Sequence, residues 1–106
     1  MKTWQVEVIP SVEERLMQIL TYIDENPLYN PDAAISVFED FEATVRRVGL
    51  MGDRIPIGNN PVMRSRSLRR ISFQSHRYYL IYRLIGDTAQ IVRIGHDLED
   101  LDKVLR

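Results

Sequence analysis

The sequence predicts an α+β fold: an antiparallel sheet of about four strands packed on an N-terminal helical hairpin, in the order β-α-α-β-β-β, with a short C-terminal helix. Three observations carry this reading. Residues 3–9, TWQVEVI, alternate in polarity. Two segments between Ser11 and Gly49 place apolar residues at helical spacing. From residue 66 onward, short β-rich runs alternate with turn residues. A chain of 106 residues can enclose one core, so residues 1–106 read as a single domain.

In the first strand Trp4, Val6 and Val8 share one side, and Thr3, Gln5 and Glu7 the other. That is a half-buried strand, and Pro10 stops it. Ser11-Val-Glu-Glu14 matches a capping box, a serine followed three residues later by glutamate, so a helix follows. Its stripe is Val12, Leu16, Met17, Leu20 and Ile23, and Asp24-Glu-Asn-Pro27 ends it. Asn30-Pro31-Asp32 restarts a helix, with asparagine as cap and proline at the first helical position. Ala34, Val37, Phe38, Phe41, Val45 and Val48 form its buried stripe, and Gly49 supplies a C-terminal stop. Two such helices with a short connection make an antiparallel hairpin. Its acids, Glu13, Glu14, Asp24, Glu25, Asp32, Glu39, Asp40 and Glu42, read as solvated outer faces.

Residues 50–64, rich in glycine and proline, read as a loop. Strands follow at about 66–74, 78–85 and 89–95, with Gly86-Asp87-Thr88 as the last turn. In the tail Leu98, Leu101, Val104 and Leu105 fall at helical spacing.

Composition excludes several classes. With no cysteine there is no disulfide framework, thiolate metal site or thiol nucleophile. The two histidines, His76 and His96, lack metal-ligand spacing, so no metal and no cofactor is expected. No glycine-flanked nucleophile turn appears, which leaves a serine-type triad without sequence support. No apolar run approaches the roughly 18 residues of a membrane span, and the alternating N-terminus does not resemble a signal peptide. The expected location is the cytoplasm.

Charge is unevenly distributed. Residues 54–96 hold eight arginines and a single acid, Asp87, whereas residues 1–53 hold ten acids and four bases. This raises the expectation of an anionic partner, against the simpler reading that the halves neutralise each other. Twelve of the fourteen basic residues are arginine, whose planar fork matches phosphate or carboxylate with two parallel bonds.

Tyr78, Leu80, Tyr82 and Leu84 carry no charge and form the core face of their strand, which turns Tyr79, Ile81 and Arg83 outward. A three-residue turn would set Ile85 opposite Ala89, Arg83 opposite Ile91 and Ile81 opposite Arg93, with both arginines on the outer face. A two-residue turn would separate them and drive Arg93 against the helices, an expensive place for an unpaired charge. Ile71 and Phe73 look inward, placing Arg69 near the helices and Arg70 on the open face. Arg69, Arg70, Tyr79, Arg83 and Arg93 are therefore the candidate binding residues. They would line one concave, wet surface suited to phosphates or an acidic peptide, with only Asp87 nearby to pair with.

The segments Tyr78-x-Leu-Ile-Tyr82-Arg83 and Ile91-Val-Arg-Ile-Gly-His96 resemble the RelE/ParE superfamily of toxins from bacterial type II toxin–antitoxin modules. Tyr22-Ile-Asp-Glu-Asn-Pro27, Asp32-Ala-Ala34 and Arg54-Ile-Pro-Ile-Gly58 agree with that family's helical connection and Pro-x-Gly loop. The resemblance implies a small cytoplasmic toxin neutralised by direct binding of a cognate antitoxin. Within the superfamily some members cleave mRNA on the ribosome. The resemblance would then make Arg70, Arg83, Arg93 and His96 catalytic, cations for phosphate and histidine for proton transfer. Others, ParE-like, poison DNA gyrase. Tyr79, Asp97 and Leu98 stand where nucleases often carry arginine or tyrosine, and Asp97, Glu99 and Asp100 would repel RNA. The ParE-like, non-enzymatic reading is therefore expected, with a nuclease or a non-toxic binding scaffold as alternatives.

Overall fold

The computed structural model describes residues 2–106. Its elements run β1 (Gln5–Val8), α1 (Pro10–Glu25), α2 (Ala33–Met51), α3 (Pro61–Ser65), β2 (Arg69–Ser72), β3 (Tyr78–Ile85), β4 (Thr88–His96) and α4 (Leu101–Val104). The four strands form one sheet in the order β1-β4-β3-β2. β2, β3 and β4 pair antiparallel, as expected. β1 instead runs parallel to β4, from Gln5 opposite Thr88 to Val8 opposite Ile91, which makes the sheet mixed. The long path through the helices, loop and hairpin lets β1 meet β4 along the same direction.

The helical hairpin covers one face. Val12, Leu16 and Ile23 of α1 and Val37, Phe41 and Val48 of α2 pack on Ile71, Leu80, Tyr82 and Ile91 of the sheet. Helix starts and stops differ from the sequence signals. α1 begins at Pro10 with Ile9 in the capping position, so the Ser11 box does not form. Proline already suits the first helical position, and starting there adds about half a turn. The Asn30 side chain accepts from the Asp32 N–H at 2.8 Å, a turn that feeds α2 rather than capping it. At the far end α2 runs through Gly49 to Met51. A side chain at Gly49 would press on the Trp4 carbonyl and on Val6, each 3.3 Å from the added carbon, so this glycine serves close packing of α2 on β1. Met17 and Phe38, expected in the core, are exposed at 59% and 39%.

The opposite face is not left open. The expected loop contains α3, started by Asn60, whose side chain accepts from the Val62 and Met63 N–H groups, with Pro61 following it. α3 and α4 place Met63, Leu68 and Leu105 over Tyr79 and Ile81, forming a second, smaller core. The sheet is thus covered on both faces, fully by the hairpin and partly by the short helices. Leu98, read as part of the C-terminal stripe, is 78% exposed and lies ahead of α4.

A cationic cavity beneath the C-terminal helix

The β3–β4 turn has two residues, Gly86 and Asp87, with Ile85 opposite Thr88 and Arg83 opposite Gln90. Gly86 takes a positive φ of 57°, which the tight turn requires. This corrects the three-residue turn. The predicted separation of the two arginines nevertheless does not occur. A register shift lies between the pairs Tyr82–Ile91 and Ile81–Arg93, so Val92 is an extra residue on β4. That bulge restores the alternation, and Arg93 returns to the outer face with Ile81 and Arg83.

Arg66, Arg83 and Arg93 line a cavity of about 310 Å³, together with Leu68, Gln90 and Leu105. Their guanidiniums are differently engaged. Arg93 donates to the Val104 carbonyl at 3.1 Å, to that of Arg106 at 3.1 Å and to that of Val92 at 2.7 Å. Arg66 donates to the Leu105 carbonyl at 3.2 Å. Together they satisfy the bare carbonyls at the end of α4, where positive charge is favoured. Arg83 uses its Nε on the Gln90 side-chain oxygen at 2.8 Å, and Gln90 in turn donates to Glu7 at 3.0 Å. Its exposed guanidinium is the one in this cavity free of backbone duties among the described residues.

The other candidates sit elsewhere. Arg70 stacks on the Tyr79 ring, 3.8 Å from the ring centre, and pairs with Asp97 at 3.3 Å. Asp97 lies one residue past the arginine-rich segment, so Asp87 is not the sole acid within reach; Asp87 itself pairs with Lys2 at 3.3 Å. Tyr79 is 1% exposed beneath Arg70, and its hydroxyl has no hydrogen-bond partner among the described residues. Burial pushes its phenol above the usual range, with Arg70 offsetting part of that. Arg69 turns to the helix side as expected and donates to the Asp53 carbonyl at 3.3 Å and to that of Ile55. His96 pairs with Tyr78 and meets its ring edge-on at 4.9 Å, on the face that packs against the helices. Its Nδ1 accepts the Leu98 N–H at 3.1 Å. The single concave surface expected from the sequence is therefore divided. Arg83 and Arg93 share one cavity, Arg70 and Tyr79 form a neighbouring stack, and Arg69 and His96 belong to the opposite face.

A second polar cluster was not legible from sequence. Asp40, read as part of a solvated helix face, is 8% exposed. It accepts from the Gln74 and Ser75 N–H groups at 3.2 and 2.9 Å and contacts His76 Nδ1 at 2.7 Å. Burial pushes its carboxyl up, but the His76 contact and the two N–H donors outweigh it, and the result lies below the ordinary value of 3.8. The other imidazole nitrogen, Nε2, lies 3.3 Å from Ser36 Oγ. The available signal was the spacing Ser36–Asp40, one helical turn, beside the short β2–β3 turn that carries His76.

No helix among the described residues is long and apolar enough to cross a membrane. No family model and no curated protein matches the chain. Among solved structures, a chain of the chromosomal ParDE TA system from P. aeruginosa matches with a TM-score of 0.71 at 16% identity, over 89% of this chain and 96% of that one. The fold is ParE-like. The likeness read from the Tyr78–His96 hairpin and the helical connection is thus borne out in architecture, and at 16% identity it is a likeness of fold. The ParE-like frame is what sets Arg83 and Arg93 on one sheet face and His96 on the other.

Proposed function

We propose that this chain is the toxin of a type II toxin–antitoxin module, that it arrests growth by acting on DNA gyrase in the cytoplasm, and that direct binding of a cognate antitoxin neutralises it. The shared fold carries the reading, because it extends over 89% of this chain and 96% of the ParDE chain. Two features favour gyrase over ribosome-dependent mRNA cleavage. His96 lies on the sheet face away from Arg83 and Arg93, so no imidazole stands beside those guanidiniums to move a proton. Arg93 is already committed to three carbonyls, which leaves less cationic charge for a phosphate in a transition state.

The antitoxin reading draws on the hairpin surface. Met17, Tyr22, Leu28 and Ile35 are exposed at 59, 64, 91 and 58%. An amphipathic antitoxin segment would cover such side chains, and its acids would meet the exposed Arg83. The deciding experiment expresses the chain alone and follows DNA supercoiling and mRNA integrity in the same culture. Gyrase inhibition with intact mRNA is the expected result. Codon-phased mRNA cuts with unchanged supercoiling would replace this reading with the nuclease one, and normal growth would leave a non-toxic scaffold.

A further inference from the structure

Ser36, His76 and Asp40 form a chain of polar contacts whose geometry is that of an activated nucleophile. Ser36 and Asp40 stand one turn apart on α2, and His76, from the β2–β3 turn, bridges them. Asp40 is held by two backbone N–H groups and is almost wholly buried, so its carboxylate cannot swing away. A carboxylate at 2.7 Å from Nδ1 favours the tautomer that carries its proton on that nitrogen. Nε2 is then the acceptor that faces the Ser36 hydroxyl at 3.3 Å. Nucleophile, base and orienting acid are recognised by such roles and distances, whatever their order in the chain.

The surroundings complete the set. Ser36 and His76 line a cavity of about 440 Å³ with Ile23, Tyr29, Ala33 and Val37. Ser36 lies in the first turn of α2, where side chains lean toward the N-terminus. The N–H groups of Ala34 and Ile35, just ahead of it, bond no backbone carbonyl among the described residues, and Asp32 makes no side-chain cap. They and the helix dipole favour negative charge beside the hydroxyl. Asp32 on the cavity rim disfavours an anionic substrate.

From this we infer that the chain has a serine-dependent acyl-transfer site, accepting short-chain neutral esters at Ser36. The Ser36 oxygen bonds to the ester carbonyl carbon while its proton passes to His76 Nε2. The ester C–O bond then breaks, and the departing alkoxide takes that proton to leave as alcohol. Water repeats the sequence on the acyl-serine, releasing the carboxylic acid and restoring the hydroxyl.

The test treats the folded full chain with a fluorophosphonate probe and with p-nitrophenyl acetate, reading intact mass and peptide mapping. One adduct on Ser36 is expected, absent from Ser36→Ala and from urea-unfolded protein. Ser36→Ala changes an exposed helical position and keeps the fold. General-base assistance is worth ~10²- to 10⁴-fold, so His76→Gln should slow labelling by at least about a hundredfold. For Asp40, which acts through the imidazole, the readout is a downfield Nδ1 proton resonance, lost in Asp40→Asn. No adduct on wild type, an adduct that survives Ser36→Ala, or equal labelling in His76→Gln overturns the inference. None of these outcomes depends on toxicity.

Discussion

Replacing Gly95 with alanine tests how tightly the outer face is built. Gly95 is buried and stands opposite Tyr79 on the neighbouring strand. A β-carbon added there would lie 2.5 Å from both Cζ and the hydroxyl oxygen of Tyr79, and 2.8 Å from Cε2. Comfortable carbon contacts fall near 3.5–4.0 Å, so the ring must retreat by about 1 Å. It has little room to do so. Met63, Leu68, Ile81 and Leu105 pack around it, and Arg70 lies across the ring at 3.8 Å while bound to Asp97. Overpacking of this kind costs about 1–3 kcal/mol, and lifting Arg70 from the ring adds about 0.5–1 kcal/mol. A net loss of about 2–3 kcal/mol follows. For a domain of this size that lowers Tm by roughly 8–15 °C. Urea titration with the slope m held constant gives the free energy directly. Tyr79→Leu should rescue part of the loss, so the double variant is less destabilised than the two single losses added. A Gly95→Ala protein within about 0.5 kcal/mol of wild type, or strict additivity, would refute the packing argument.

Arg83→Ala should change stability by less than about 0.5 kcal/mol, since Arg83 is exposed and bonds one side chain, and it is the clean variant for the growth-arrest assay. Arg93→Ala should instead loosen the tail, at about 1.5–3 kcal/mol, with faster hydrogen exchange over residues 101–106. Asp40 carries a carboxyl depressed below 3.8, so its contribution is present above that pH and is lost as pH falls through its lower folded value. Asp40→Asn should flatten the acid side of the stability curve below about pH 4, measured by thermal melts across pH. Tyr82 is fully buried, donates to the Gly52 carbonyl at 2.7 Å, and burial pushes its phenol up to about 12. Stability should therefore fall as pH rises above 10, where the unfolded phenol ionises, and Tyr82→Phe should reduce that slope, leaving the part due to Tyr78 and Tyr79, at a cost of about 1–2 kcal/mol near neutral pH.

Much of the fold was legible because periodicity reports burial. The core stripe of Val12, Leu16 and Ile23, the Tyr78–Leu84 face and the inward Ile71 and Phe73 all follow from it. Periodicity is silent on direction, so the parallel pairing of β1 with β4 was not readable. Nor was the bulge at Val92, because one inserted residue leaves no mark on a run of apolar side chains. Two errors, the turn length and the absence of a bulge, cancelled in placing Arg93. The candidate surface fared less well. Counting charges along the chain could not show that Arg93 and Arg66 would be spent on helix carbonyls, or that Asp97 would reach back to Arg70. Asp40 was misread because a buried carboxylate and a wet one look alike on a helix until the loop that fills it is known.

The pairing of Gln5 with Thr88 carries a consequence for synthesis. Within this fold β1 is made before every other element, yet its only strand neighbour among the described residues is β4, the last strand made. Until β4 appears, α1 and α2 have only the β2–β3 hairpin to cover, and β1 has no strand to pair with. A nascent chain of this layout stays incomplete until β4 has been made, then closes in one late step that joins β1 to β4.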